Sequence, residues 1–284
     1  MVNCFKMQAA TTASKVLGIT VWLAAGVNIL SLISLIGYIL AQGIPYLSWE
    51  LFALEYTTQN VSLFPALVDT LLMVAVALSL AAPIGIGTAI YFVEYAKKGN
   101  KFVSIMDMTT DTLAGIPSVV YGLFGLLFFV IYLQMGYSLL AGACTVAIMI
   151  LPMIIRTTEE ALQAVPISYR EGSYALGANK LRTVLVVVLP AAVPGILAGI
   201  ILSIGRIMGE TAALIYTAGT VAQLPEDLFS SGRSLAVHLY VLASEGLFME
   251  QAFATAVVLV IITVIINGAS TWMAGKLMRG NWDE

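Results

Sequence analysis

Charge is scarce in this sequence. Asp, Glu, Lys and Arg make up only 10% of its 284 residues, whereas soluble domains carry about a quarter. A surface so poor in charge cannot keep a chain of this size in water. Histidine occurs once, as His238, and cysteine twice, as Cys4 and Cys144. One histidine and two distant thiols leave no zinc or haem site, no Ser-His pair and no disulfide framework to argue for. The glycine-lysine signature of a phosphate-binding P-loop is also missing. The single Gly-Lys pair, Gly275-Lys276, is followed by Leu277 and lacks the upstream glycine, so this chain does not bind ATP by that route. No catalytic residues, metal ligands or nucleic-acid partner are expected, and the net charge of −3 is uninformative about partners.

Long apolar stretches are abundant, with 60% of the residues hydrophobic. Six runs match the ~20 residues a helix needs to cross a bilayer. They are Val16 to Ala41, Leu67 to Val93, Leu113 to Leu133, Tyr137 to Ile155, Val184 to about Tyr216, and Ala252 to Met273. A spanning segment must satisfy its own backbone, and the short alternating strands of a membrane barrel are absent. The expected fold class is therefore all-α, a polytopic membrane protein with about six transmembrane helices. The first run is too long for a signal-peptide core and ends in Gln42-Gly43-Ile44-Pro45 rather than a small-residue cleavage site, so it is read as a retained helix.

Lys and Arg set the orientation. Lys6 and Lys15 precede the first run, Lys97, Lys98 and Lys101 follow the second, Arg156, Arg170, Lys180 and Arg182 follow the fourth, and Lys276 and Arg279 follow the sixth. Arg233 alone falls in a segment on the other side. The positive-inside rule then places both termini in the cytoplasm of a multi-pass cell-membrane protein. The expected organisation is a cytoplasmic segment 1–15, a transmembrane domain 16–275 with an inner loop at 156–190, and a cytoplasmic tail 276–284. On the outer side, Ser234 to Leu242 is too short to span and is expected as an interfacial or re-entrant helix.

The inner loop carries a compact helix signal. Ser168-Tyr169-Arg170-Glu171 fits a capping box with Ser168 as N-cap and Glu171 at N3. The helix would continue through Gly172, Ser173, Tyr174 and Ala175 to about Leu176, where Gly177 supplies a residue suited to the left-handed conformation. Two turns need a partner to persist, either lipid headgroups or another protein.

Arg206 and Glu210 stand inside the fifth run, where an ionised group costs at least about 2.5 kcal/mol on insertion scales. On one continuous helix they would share a face. Two readings are open. They form an intrahelical ion pair, or Arg206 lines an anion path with Thr211 while Glu210 weakens its hold on the anion. Ser118, beside Pro117 in the third run, is a further path candidate; Pro117 itself is expected as a kink. Asp69 and Thr70 are expected at a solvated helix end, and the third run's Phe and Tyr residues against lipid.

The inner loop resembles the EAA loop of ATP-binding-cassette importer permeases of the MetI-like fold. Glu171-Gly172-Ser173, then Gly177, Val187 and Leu189-Pro190 keep that pattern's spacing. More specifically, Tyr91 to Tyr95, Leu113 to Gly125, Arg156 to Glu159 and Gly205 to Ala212 resemble the PstA-type permease of the phosphate-specific transport system, over roughly residues 65–275. This resemblance implies a transport subunit for inorganic phosphate, not an enzyme. It also implies a PstC-type permease as heterodimer partner, a PstB-type ATPase dimer that uses ATP and Mg, a PstS-type phosphate-binding protein and surrounding membrane lipid. Ser168 to Gly177 would meet the ATPase, and no cofactor is bound by this chain. A permease for molybdate, tungstate or sulfate is the near alternative, and a stand-alone secondary transporter the distant one.

Overall fold

The computed structural model describes residues 12–97 and 99–280, so expectations for Cys4, Lys6 and Lys98 lie outside the described residues. Eleven α-helices and no strand occur among the described residues. The first apolar run forms α1 (Thr12–Gly43) and the second α2 (Phe64–Ile90), which ends in a π-helical turn at Tyr91–Tyr95. After these come α3 (Lys101–Ala114), α4 (Ser118–Gly125, extended by a π-helical stretch Leu126–Tyr132) and α5 (Leu139–Ala164). The inner loop holds α6 (Ile167–Ala175) and α7 (Lys180–Thr183); α7 runs through a π-helical turn, Val184–Val188, into α8 (Leu189–Met208). The chain closes with α9 (Ala212–Thr217), α10 (Leu235–Glu245) and α11 (Met249–Gly280).

Five helices are long and apolar enough to cross a membrane, and α3 with α4 makes a sixth crossing if the bent pair is one span. That bend corrects the expected third helix, because the axes of α3 and α4 differ by 101°. Proline explains the break. Pro117 has no N–H to donate and forces the preceding residue out of helical geometry, so the chain restarts with Pro117 as N-cap of α4 at φ −58° and ψ 141°. The Tyr121 hydroxyl then donates to the Leu113 carbonyl at 2.8 Å and ties the corner.

Three further boundaries depart from expectation. α5 runs past Ile155 to Ala164, because Arg156 pairs with Glu159 and Glu160 one turn on and lets the helix project beyond its apolar section. The fifth run is two helices, since α8 stops at Gly209 and α9 restarts after Thr211. The capping box is absent as well. Pro166 is the N-cap of α6, which puts Ser168 inside the first turn with no capping hydrogen bond. The expected stop is present, with Gly177 at φ +83°.

The core lies where α2, α5, α8 and α4 meet, around Met73, Ala77, Val146, Ile150, Ile154, Ile207 and Met208. Lipid tails are as apolar as leucine, so contact between spanning helices depends on close packing, and small residues allow it. A Cβ on Gly122 of α4 would sit 2.8 Å from the Ala213 backbone of α9. On Gly199 of α8 it would collide with Thr157 of α5. α1 stands apart with most of its surface exposed, touching the bundle near Gly43 and through Tyr38 against the Phe253 ring.

Candidate functional site: a broken helix and a knob

Two places in the fold hold the residues singled out above. The first is the gap between α8 and α9. Arg206 sits in the last turn of α8 and is exposed, whereas Glu210 is buried at 8% exposure. The helix ends between them, so they do not share a face. No ion pair joins them among the described residues, and the Glu210 carboxylate instead accepts from the Ala213 amide at 3.1 Å, capping α9. Of the two open readings, the intrahelical ion pair is the one this geometry removes. The continuous stretch Lys180–Met208 also fixes the position of Arg206 along the helix. Arg206 lies 26 residues beyond Lys180, about 39 Å along the axis at 1.5 Å per residue, near the end of the crossing opposite α6.

Other candidates gather around that gap. Thr211 is half-buried at the entrance to α9, and the α9 backbone abuts Gly122 of α4. Ser118 is half-buried at the first position of α4, one turn before Gly122. An exposed guanidinium, the start of α4 and two helix breaks therefore share one neighbourhood. Helix starts present unpaired N–H groups and favour anions, and a guanidinium grips oxyanions by its planar fork. Space is available, since a Cβ on Gly205 meets only the Asn267 amide, at 3.9 Å, and one on Gly209 meets only the Gly205 carbonyl, at 3.7 Å.

The second place is α6. Ser168, Tyr169, Glu171, Gly172, Tyr174, Ala175, Leu176 and Gly177 are all exposed, with Ile167 at 70% and Leu176 at 91%. A cavity of about 450 Å³, lined by Ser168, Gly172, Leu176, Arg182 and Val186, separates α6 from the turn leading into α8. Arg170 and Ser173 alone in this helix turn inward. The Arg170 guanidinium forms a part-buried ion pair with Glu94 at 2.7 Å, and the Ser173 hydroxyl is hydrogen-bonded to that of Thr183 at 2.9 Å. Of the ten loop residues expected to face a partner, eight are free to do so and two hold the helix to the bundle.

A buried polar cluster was missed in the sequence. Asp69 and Thr70, expected at a solvated helix end, are 0% and 2% exposed. Asp69 accepts from the Arg233 amide at 3.0 Å and Thr70 from the Leu235 amide at 2.8 Å, which fastens the start of α10 to α2. The Arg233 guanidinium lies 4.9 Å from the centre of the Tyr56 ring, and His238 packs edge-on against the same ring. Burial pulls the Arg233 guanidinium below its ordinary value, opposed by its interaction with the Tyr56 hydroxyl. An aspartate in an otherwise apolar helix was the available signal; its partner stands 164 residues away.

Residues 81–279 match the family described as "Binding-protein-dependent transport system inner membrane component". The chain is 31% identical over 275 residues to the Probable ABC transporter permease protein YqgI of Bacillus subtilis (strain 168), covering 90% of this chain and 93% of that one. It is 35% identical over 210 residues to the Phosphate transport system permease protein PstA 1 of Mycobacterium tuberculosis (strain ATCC 25618 / H37Rv), covering 73% and 68%. The PstA protein of Pasteurella multocida (strain Pm70) is 33% identical over 236 residues, covering 81% and 82%. Among solved structures, a bacterial ABC transporter involved in import of the acidic polysaccharide alginate superposes with TM-score 0.64 at 15% identity, over 90% of this chain and 96% of that one. The inward-facing MetNI methionine ABC transporter gives TM-score 0.58 at 19% identity, over 84% and 96%. At such identities the structures speak for the fold.

Proposed function

This chain belongs to the family of binding-protein-dependent transport system inner membrane components, and from that premise we propose that it forms half of the membrane path of an ATP-driven importer for inorganic phosphate. The observation that carries the reading is the exposed Arg206 at the α8–α9 break, where α9 abuts Gly122 of α4. A long cationic side chain near the end of a spanning helix carries its charge to the membrane interface, where it can meet an anion at the mouth of the path. The names of relatives at 33% to 35% identity support phosphate over other oxyanions.

In this reading Arg206, Thr211 and Ser118 line the path, and its other half is supplied by a PstC-type permease. The exposed residues of α6 meet a PstB-type ATPase dimer, which binds and hydrolyses ATP with Mg. A PstS-type protein delivers phosphate at the opposite face. The distribution of Lys and Arg supports a cytoplasmic location for α6 and both termini. ATP closes the ATPase dimer, α6 carries that motion into the bundle, and the path alternates between its two openings. Glu210 serves as a cap and stays out of the phosphate's way.

The test is uptake into vesicles that hold this chain with its partners and carry ATP inside. Uptake that needs ATP and is blocked by arsenate, but not by molybdate or sulfate, is the expected result. ATP-dependent uptake of a different oxyanion overturns the substrate, and ATP-independent uptake by this chain alone overturns the importer reading.

A further inference from the structure

The knob helix has almost nothing apolar holding it. No residue of α6 is buried, so the usual packing of an amphipathic face cannot transmit a push from this helix to the bundle. Its attachment is polar. Arg170 donates from Nε and Nη2 to one oxygen of Glu94, at 3.0 and 2.7 Å. Its Nη1 donates to the Val165 carbonyl at 2.8 Å, and Nη2 also reaches the Leu162 carbonyl at 2.9 Å. One guanidinium thus joins α6, the end of α5 and the end of α2. The Glu94 side chain is 5% exposed and that of Arg170 16%. Separating a pair so little exposed leaves a charge without its partner, which is costly.

The places where these ties land are also unusual. Glu94 lies within the π-helical turn Tyr91–Tyr95. The second tie, Ser173 to Thr183, lands on the residue immediately before the π-helical turn Val184–Val188. A third contact, Lys180 over the Tyr95 ring at 5.0 Å, returns to the first turn. Such wide turns are rare and tend to mark functional points in helices. Here two of them stand where the knob is fastened to α2 and α8.

We infer that Glu94 is a positioning residue of the coupling apparatus, holding Arg170 so that movement imposed on α6 is delivered to the inner turn of α2. The inference rests on the proposed contact between α6 and the ATPase, and it adds the route beyond that contact. Ser173 and Thr183 carry the parallel route into α8. Glu94 touches neither phosphate nor ATP in this arrangement, so its loss separates ATP hydrolysis from transport rather than stopping both.

The test uses the complete complex in vesicles, with Cys4 and Cys144 replaced by serine and a reporter cysteine at Tyr91, which is 46% exposed. ATP with vanadate is expected to change the maleimide reactivity of that cysteine. In Glu94→Gln the change is expected to vanish and uptake to fall about tenfold, with ATP hydrolysis continuing. A Glu94→Gln complex that assembles and keeps both the ATP-driven change and uptake overturns the inference, as does a parent complex whose Tyr91 reporter never responds. If Glu94→Gln fails to assemble, Arg170→Lys enters the same assay, since it keeps the cation and loses the fork. An unchanged response there overturns the inference equally. A cysteine at Tyr174 that fails to crosslink to the ATPase in the assembled complex brings down the α6 contact itself, a separate failure.

Discussion

An arginine and a glutamate four positions apart inside an apolar run invite a counter-ion reading, and the break at Gly209 removes it. Arg206 is left with an exposed guanidinium, and Glu210 is tied to the Ala213 amide. The two residues should therefore respond differently to substitution. Arg206→Gln is expected to abolish ATP-driven uptake while the complex still assembles, because a neutral amide cannot fork onto an oxyanion. Wild-type uptake in that variant removes Arg206 from the path. Glu210→Gln keeps a carbonyl oxygen able to accept from Ala213, so its uptake should stay near wild type. Glu210→Ala loses the cap at a cost of about 1 kcal/mol, read as a lower melting temperature of the purified complex. If Glu210→Gln loses uptake, the charge matters and the cap reading is wrong.

Element by element, α6 offers a contrast of sign within five residues. Gly172 is helical, and nothing lies within 4 Å of the place a methyl group would take there, so Gly172→Ala should steady the helix by about 0.5–1 kcal/mol. Gly177 has equal room but a φ of +83°. Gly177→Ala should therefore weaken the helix end by about 1–2 kcal/mol. Amide hydrogen exchange across residues 167–177 of the assembled complex checks both, with slower exchange expected in the first variant and faster in the second. The Gly177 stop was legible in the sequence because it depends on one residue's backbone preference. The apolar runs were legible because bilayer thickness fixes their length. The α8–α9 break was hidden, since Gly209-Glu210-Thr211 is too short to interrupt an apolar average. The start of α6 was misread because Ser168 and Glu171 have capping-box spacing while Pro166, two residues earlier, takes the N-cap. The ties Arg170–Glu94 and Asp69–Arg233 bridge 76 and 164 residues. No local pattern encodes such pairs.

At the scale of the whole molecule, every coupling argument depends on which side of the membrane α6 occupies. The knob lies at one end of the bundle, while α10 and the segment around Leu247 follow the far ends of α8 and α9. Leu176 and Leu247 are 91% and 78% exposed, so a cysteine at either position should be reachable from its own side. With Cys4 and Cys144 replaced by serine, a membrane-impermeant maleimide applied to intact cells should label Leu247→Cys at once. Leu176→Cys should be labelled only after the membrane is opened, and more slowly when the ATPase subunits are bound. Basic residues cluster at the knob end, with Lys97, Lys101, Arg170, Lys180 and Arg182 close in sequence to α6 or to the turn it grips. Retention of such segments in the cytoplasm underlies this expectation. Labelling of Leu176→Cys in sealed cells would put the knob where no ATP is made, and the direction of transport proposed here would fail with it.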